Sequence, residues 1–427
     1  MESITQYGAR GDGESICTAT IQRAIDACGA SGGGTVVVPR GRFVTGTLWM
    51  RSNVTLHFDA GATLVAARDP DAFPVFAATF EGKSNPSHAG LIAGEDVDNI
   101  AVTGRGTIDG SGSFWWDLFR ANKLEHFRPR LIRPIDCRNV LIDGITLVNS
   151  PAWTVNPVAC DNVTITRLTI RNPHDSPNTD GINPDSCANV RISDCHIDVG
   201  DDCVTIKSGT EDDGRPRKRP CENIAITNCT MLRGHGGVVI GSEMSGGVRN
   251  VVISNCLMVG TDRGIRLKSR RGRGGAIEDV RASNIIMDGV LCPIVINLFY
   301  GCGAWGEKKV EDRSPHEVTD GTPRMRRLRY ANITARNVKY AAAFVLGLPE
   351  MYVEDVAMSD VSFYIDPNNT EAGAPAMAPG VDGYCRAGIH LQYARRLRLR
   401  NVDIQHQNGA PVTVKECDDV STEATSI

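Results

Sequence analysis

Along most of the chain the apolar residues fall in short alternating runs of three to five positions, separated by Gly, Asn and Asp, and one phrase keeps returning. It stands at Asn139-Val-Leu-Ile, Asn162-Val-Thr-Ile, Asn189-Val-Arg-Ile, Asn223-Ile-Ala-Ile and Asn250-Val-Val-Ile, at spacings of 23, 27, 34 and 27 residues. Weaker copies start at Asn53, Asn99, Asp279 and Asp355, and Arg396-Leu397-Arg398-Leu399 is similar. Between these phrases lies a second set of apolar pairs: Val155/Pro157, Ile182/Pro184, Val204/Ile206, Val238/Ile240 and Ile265/Leu267, spaced 27, 22, 34 and 27. Alternation bounded by turn formers is the signature of strands, and no helical period separates the runs to make βαβ crossovers. Parallel strands repeated every 22 to 30 or so residues without helices have one simple solution, coil stacked on coil about 4.8 Å apart. The pattern therefore predicts an all-β, single-domain parallel β-helix over residues 1–427, with a cap region over about 1–50 and stacked coils over about 50–415.

A solenoid must cover its open edge. Thr18 followed by Ile21, Ala24, Ile25 and Cys28 has helical spacing, so a short N-terminal capping helix is expected with Thr18 as its N-cap, stopping at Gly29 and Gly32-Gly33-Gly34. The stretch Phe114 to Phe127, with Trp115 and Trp116, is a candidate second helix whose aromatics are read as packing rather than as a sugar platform. Residues 366–383, rich in Pro, Gly and Ala, read as a long loop that with loops 208–220 and 303–323 shapes the ends of a cleft. The repeated Asn residues are read as turn formers that accept a left-handed backbone and stack their amides. Cys195, Cys229 and Cys256 each lie six residues after a repeat Asn, and Cys137, Cys160, Cys187 and Cys221 two before it, so they form ladders. Stacked Cα atoms fall inside the disulfide window of about 4.4 to 6.8 Å. The reading adopted is nonetheless reduced thiols filling a narrow core.

Composition narrows the function. With 427 residues, 41% hydrophobic and 22% charged, the chain is far from the disordered regime. A net charge of -4 gives no field for nucleic acid or an anionic membrane, so neither is an expected partner, and any acidic ligand must be held by local basic residues. No apolar run is long enough to span a bilayer, and Met1 to Gly11 has no basic start followed by an apolar run. A cytoplasmic protein is expected, or a secreted or periplasmic one if a leader was removed. The 14 Cys include no C-x-x-C pair of the kind that holds zinc.

Beside the second set of strands, polar residues gather at one point of the period. Asn178, Thr179 and Asp180 precede Ile182; Gly200, Asp201 and Asp202 precede Val204; His235 and Gly236 precede Val238; Arg266 and Lys268 flank Leu267. One face thus carries three carboxylates, an imidazole and two cations, with Asp180 stacked over Asp202. Crowded carboxylates repel, so one is expected to keep its proton while the others ionise, giving an acid and a base together. Asp201 and Asp202 reach one cleft only if the strand bends, and Gly200 eases that bend, so an irregular start to the strand is predicted. Calcium is the rival reading of clustered aspartates. Arg266 and Lys268 oppose it, so no metal and no cofactor is expected. The basic runs Arg215 to Arg219 and Lys268 to Arg273 are read either as solvated loops or as adding to the attraction for an anionic substrate, against Asp212-Asp213.

Asn178-Thr179-Asp180-Gly181, Gly200-Asp201-Asp202-Cys203, Gly234-His235-Gly236-Gly237 and Arg266-Leu267-Lys268 resemble the four signature segments of glycoside hydrolase family 28, the polygalacturonases. Tyr7 to Gly13, Ser52-Asn53-Val54 and Gly61-Ala62 are similar to the family's opening. The resemblance implies a right-handed parallel β-helix that hydrolyses α-1,4 bonds of polygalacturonate or oligogalacturonides with inversion. It implies Asp201 as general acid, Asp180 and Asp202 as activators of water, and His235 as tuning the acid. It further implies that Arg266 and Lys268, with Asn178 and Tyr300, bind substrate. An inverting acid and base stand about 6.5 to 9.5 Å apart to admit water. Gly200, where many members have a larger amide, and Gly237-Val238-Val239, in place of the more usual Leu-Ser, depart from the pattern. Gly241-Ser242-Glu243, Gly301-Cys302-Gly303 and Gly347-Leu348-Pro349-Glu350 look more similar to bacterial exo-acting members, which implies release from the non-reducing end. The alternatives are an endo-polygalacturonase, a rhamnogalacturonan or xylogalacturonan hydrolase, a lyase on the same solenoid, and a non-catalytic carbohydrate-binding solenoid. Oligomeric state is left open by the sequence.

Overall fold

The residue that opens each repeat takes a left-handed backbone. Asn53, Asn99, Asn139, Asn162, Asn189, Asn223 and Asn250 have φ between 54° and 63°, and Asp279 and Asp355 follow at 57° and 56°. Asn and Asp reach this region because their short polar side chains bond locally. Their amides also bond along the stack: Asn99 Nδ2 donates to Asn53 Oδ1 at 3.0 Å, and Asn250 Nδ2 to Asn223 Oδ1 at 3.0 Å. Both expected roles of the Asn residues are present. A second left-handed position, five residues later, repeats at Arg167, Asp194, Asn228, Asn255 and Asn284 and was not separated out in the sequence pattern. Arg327 fills the first position at φ 57° without an amide of its own, held instead by Asp279 at 2.9 and 2.8 Å.

The computed structural model describes residues 2–80 and 83–423. The chain falls into two compact units, Met1–Asp201 and Asp202–Ile427, described in turn. In the first unit Val54–Phe58, Asp98–Gly104, Arg138–Asp143, Asp161–Thr166 and Ala188–Ser193 pair in parallel, each with the next. A second parallel series runs Ala62–Ala66, Thr107–Asp109, Thr146–Val148, Thr169–Arg171 and His196–Val199. A third joins Leu48–Trp49, Ile92–Glu95 and Ile132–Ile135, and continues as bridges from Ile132 to Val155 and from Val155 to Ile182. Register places Ile142, Ile165 and Ile192 in line, all fully buried, and each such side chain is worth about 2 kcal/mol of transfer from water.

The second unit repeats the plan with longer strands. Val204–Ile206, Val238–Ile240, Arg263–Lys268, Cys292–Asn297, Ala341–Leu346, Ala387–Gln392 and Val412–Lys415 form one parallel series. Cys221–Thr227, Val248–Val259, Ala276–Asp288, Arg324–Val338, Val353–Ile365, Ala394–Gln405 and Asp418–Glu423 form another. On its outer face one rung reads Glu222, Arg249, Glu278, Arg326, Glu354, Arg395 and Asp418, each in register with the next. Charge alternates at every step. Arg249 to Glu222 closes at 2.5 Å, Arg326 to Glu278 at 2.7 Å and Arg395 to Glu354 at 3.1 Å. Exposed pairs of this kind contribute about 0.2 to 1 kcal/mol each, so their greater effect is on register.

The capping helix runs Thr18–Ala30 and buries Ile21, Ala24, Ile25 and Cys28, the four residues its spacing picks out. Thr18 is not the N-cap. Its Oγ1 accepts the Gly46 N–H at 2.8 Å instead, and Cys17 stands at the cap position with its thiol turned to Arg10 and Ser15 rather than to the helix. The helix ends where Gly32, Gly33 and Gly34 turn to φ 94°, 111° and 143°; a Cβ on Gly33 would lie 2.4 Å from Asn53. The second helix is Gly112–Arg120, shorter than the stretch 114–127, and Phe127 lies in an extended bridge to Ser87. Trp115 is fully buried against Phe73 and His88, and Trp116 Nε1 donates to Ser150 O at 3.1 Å, so these aromatics pack. An antiparallel hairpin, Val75–Phe80 with Lys83–His88, has no counterpart in the repeat pattern. Among the described residues no helix is long and apolar enough to cross a membrane.

None of the fourteen cysteines is joined in a disulfide among the described residues, and the ladder thiols are buried. Cys137, Cys160 and Cys187 each donate to the carbonyl two residues back, at 3.2, 3.3 and 3.3 Å, as do Cys195, Cys229 and Cys256 at 3.2, 3.3 and 3.2 Å. The left-handed Asn positions give a direct test. Asn250→Ala should lower the unfolding free energy in urea by about 1 to 2 kcal/mol, while Asn250→Gly, which keeps the backbone free but loses the amide, should lose clearly less.

Candidate active site

In the first unit the polar residues sit at the end of the third series. Asp180 is 4% exposed; its carbonyl accepts the Thr154 N–H at 2.9 Å and its Oδ2 accepts from Asn183 Nδ2 at 2.8 Å. Asn178 takes a left-handed backbone, φ 55°, and its Oδ1 accepts from Arg128 Nη2 at 2.6 Å. Arg128 also donates to the carbonyls of Pro151 and Pro177, at 2.9 and 2.7 Å, and lies over the Phe119 ring at 4.2 Å. Sequence reasoning missed Arg128, which comes from a loop 50 residues upstream with no pattern to mark it.

The chain is irregular from Gly200 to Cys203, between the strands His196–Val199 and Val204–Ile206, as expected. The reason differs from the expectation. Gly200 has no left-handed φ; a Cβ there would lie 2.5 Å from Ser176 O and 2.6 Å from Pro173 O, so glycine is needed for space. Its N–H donates to Thr179 Oγ1 at 3.3 Å, tying this segment to the one that carries Asp180. Asp180 and Asp201 bring carboxylate oxygens within 4.8 Å of each other. These nearest oxygens are closer than the separation of about 6.5 to 9.5 Å expected between the groups of an inverting pair.

In the second unit Arg266 and Lys268 alternate with the core residues Ile265 and Leu267 along one strand and so share its other face. Asp202, 2% exposed, receives Lys268 Nζ at 2.9 Å, with Arg266 Nη1 at 3.8 Å. Burial by itself pushes the Asp202 carboxyl up; Lys268 and Arg266 outweigh it, His235 adds to them, and the group is held at about 2. It is therefore ionised at neutral pH. A Cβ on Gly236 would stand 3.1 Å from Asp202 Oδ1, so the glycine after His235 keeps that space open. Tyr300, 7% exposed, lies under both cations, with Arg266 5.5 Å and Lys268 5.2 Å from its ring centre. Burial keeps its hydroxyl protonated, well above the ordinary tyrosine range. Arg266 is 3% exposed, and its Nη2 finds no hydrogen-bond partner among the described residues. A metal ion seeking Asp202 would compete with the ammonium already 2.9 Å away.

The family model for glycosyl hydrolases family 28 matches residues 28–372. The chain belongs to this family. It is a glycoside hydrolase. The family 28 chain is 34% identical over 373 residues to a probable polygalacturonase of Vitis vinifera, covering 85% of this chain and 74% of that one. It is 35% identical over 311 residues to an endo-polygalacturonase of Pectobacterium carotovorum, covering 67% and 73%. A hyperthermoactive exopolygalacturonase from Thermotoga maritima superposes with a TM-score of 0.80 at 31% identity, covering 96% of this chain and 91% of that one.

Most of the basic runs in this hydrolase are engaged internally and add less free charge than their composition suggests. Arg271 forms a two-pronged pair with Glu350 at 2.6 and 2.9 Å, Arg273 binds Glu211, and Arg215 donates to Gly272 O at 2.9 Å. Lys207 and Glu243 form a further buried pair at 2.6 Å that the sequence reading did not name. The Asp202 arrangement has a pH consequence. Its carboxyl is depressed from 3.8 to about 2, so its stabilising effect is complete above about pH 5 and fades as pH falls through about 2. The excess stability of wild type over Asp202→Asn should shrink by roughly 2 kcal/mol between pH 5 and pH 2, read by denaturant unfolding at each pH.

Proposed function

We propose that this family 28 enzyme hydrolyses α-1,4-galacturonosidic bonds of polygalacturonate and oligogalacturonides from the non-reducing end, with inversion and without a metal. The observation that carries the reading is the buried Arg266, with an unengaged Nη2, over Tyr300 and next to an ionised Asp202. A guanidinium left open in this way suits a carboxylate on the sugar, which a neutral polysaccharide does not offer. Lys268, bound to Asp202, both keeps that carboxylate ionised and adds positive charge toward the substrate. In this assignment Asp201 protonates the departing oxygen, and Asp180 and Asp202 activate the attacking water, one of them taking its proton. His235 tunes the acid, and Asn178, held by Arg128, and Tyr300 contact the sugars. The likeness to the Thermotoga exopolygalacturonase supports the exo mode. A second reading, endo cleavage, is favoured by the likeness to the Pectobacterium enzyme at 35% identity.

Three measurements test this. Asp201→Asn should release reducing ends from polygalacturonate at least about 10²-fold more slowly than wild type; equal rates would remove Asp201 from the mechanism. A product-size time course on long homogalacturonan should show small product of one size from the outset, and a ladder of oligomers would mean endo action. Proton NMR during the first turnovers should show the β-anomer at the new reducing end, whereas the α-anomer would rule out inversion.

A further inference from the structure

Among the buried cations of the second unit, most have an anion or several carbonyls. Lys268 has Asp202, Lys207 has Glu243, Arg271 has Glu350 and Arg273 has Glu211. Arg263 is bonded to the carbonyls of Ala374 and Pro375. Arg270 differs. It is 8% exposed, it makes a single hydrogen bond, Nη1 to the carbonyl of Cys302 at 2.9 Å, and no carboxylate pairs with it among the described residues. The acidic groups that act on it from a distance are Glu211, already taken by Arg273, and Glu307, which lies 3.4 Å from Lys309. None of its nitrogens is among the sealed, unpartnered atoms, so a side chain that is mostly buried keeps N–H donors open to an anion from outside.

Its place says which anion. Arg266 and Lys268 stand at alternate positions of one strand, about 6.7 Å apart, and Arg270 follows two residues after the strand ends, just before a turn. The turn that carries Tyr300 is tied to this segment, because the Tyr300 N–H donates to Ser269 O at 3.0 Å and Arg270 reaches Cys302 O beyond it. Arg266 and Lys268 hold one face of Tyr300, and Arg270 lies near enough to act on its hydroxyl.

We propose that Arg270 is a specificity residue that binds a second sugar carboxylate, on the uronic acid next to the one held by Arg266 and Lys268, so that the enzyme requires two adjacent free carboxylates. This rests on the galacturonan reading above. The guanidinium can meet a carboxylate through two parallel N–H donors, which a lysine cannot reproduce. Methyl esterification of that sugar removes the charge and the pairing.

The test compares wild type, Arg270→Gln and Arg270→Lys on polygalacturonate of graded methyl esterification, with circular dichroism and melting curves to check each fold. Arg270→Gln should raise KM on unesterified substrate about 10-fold or more, with kcat falling far less. Arg270→Lys should lie between it and wild type. Random esterification should slow wild type more steeply than Arg270→Gln. An unchanged KM, or the same ester sensitivity in both proteins, overturns the proposal. If neither variant folds, wild type is given oligogalacturonides with one methyl ester on the sugar adjacent to that held by Arg266. A loss of about 10-fold or more supports the proposal and equal rates refute it. Wild type that releases no reducing ends from polygalacturonate removes the galacturonan reading itself, whereas active wild type with an unaffected Arg270→Gln removes only the role of Arg270.

Discussion

Parallel pairing at one backbone spacing places every side chain beside its own equivalent in the next coil, and each position must be a residue that tolerates such a neighbour. Apolar side chains do so by packing, as Ile142, Ile165 and Ile192 do. Asn does so by donating one amide to the next, and a buried thiol does so because its own carbonyl two residues back satisfies it. A charge does not tolerate itself. The rung from Glu222 to Asp418 alternates in sign, Arg271 finds Glu350 in a loop, and where Arg281 and Arg329 stand in register Arg329 turns to Asp355 at 2.7 Å.

The site residues are exceptions placed on this background. At the position of Arg266 the flanking coils carry Val239 and Val295, and at that of Lys268 the next coil carries Asn297. The scaffold sets these side chains in register while lending them none of its own repeating chemistry. What they do is then decided by pairing. Lys268 and Arg266 overcome the burial of Asp202 and keep it negative, so in the second unit the carboxylate is ionised by construction. A site that relied on an unpaired buried carboxylate there would have had a proton instead.

The parallel coils were legible because alternation, turn formers and spacing all pointed to one geometry, and the left-handed Asn residues and the buried helix face followed from the same logic. The candidate site residues stand out in the sequence as rare polar groups at one phase of a repeat. What escaped had no local signal. Arg128 reaches Asn178 from a distant loop, the hairpin Val75–Phe80 with Lys83–His88 interrupts the period, and Thr18 gives its hydroxyl to Gly46 rather than to its helix. Gly200 was expected for its backbone freedom and is required for its lack of a side chain, a distinction that depends on where Pro173 and Ser176 lie. The basic run after Lys268 looked like free charge because its acidic partners are as far away as Glu350.

The alternating rung on the outer face of the second unit carries a rule about size. Because Glu222, Arg249, Glu278, Arg326, Glu354, Arg395 and Asp418 form a two-step cycle, excising or duplicating one coil would set like charge against like along that line. Removing or adding two coils restores the order. The solenoid in this region thus has a parity, and its natural increment of growth is a pair of coils even though its structural repeat is one.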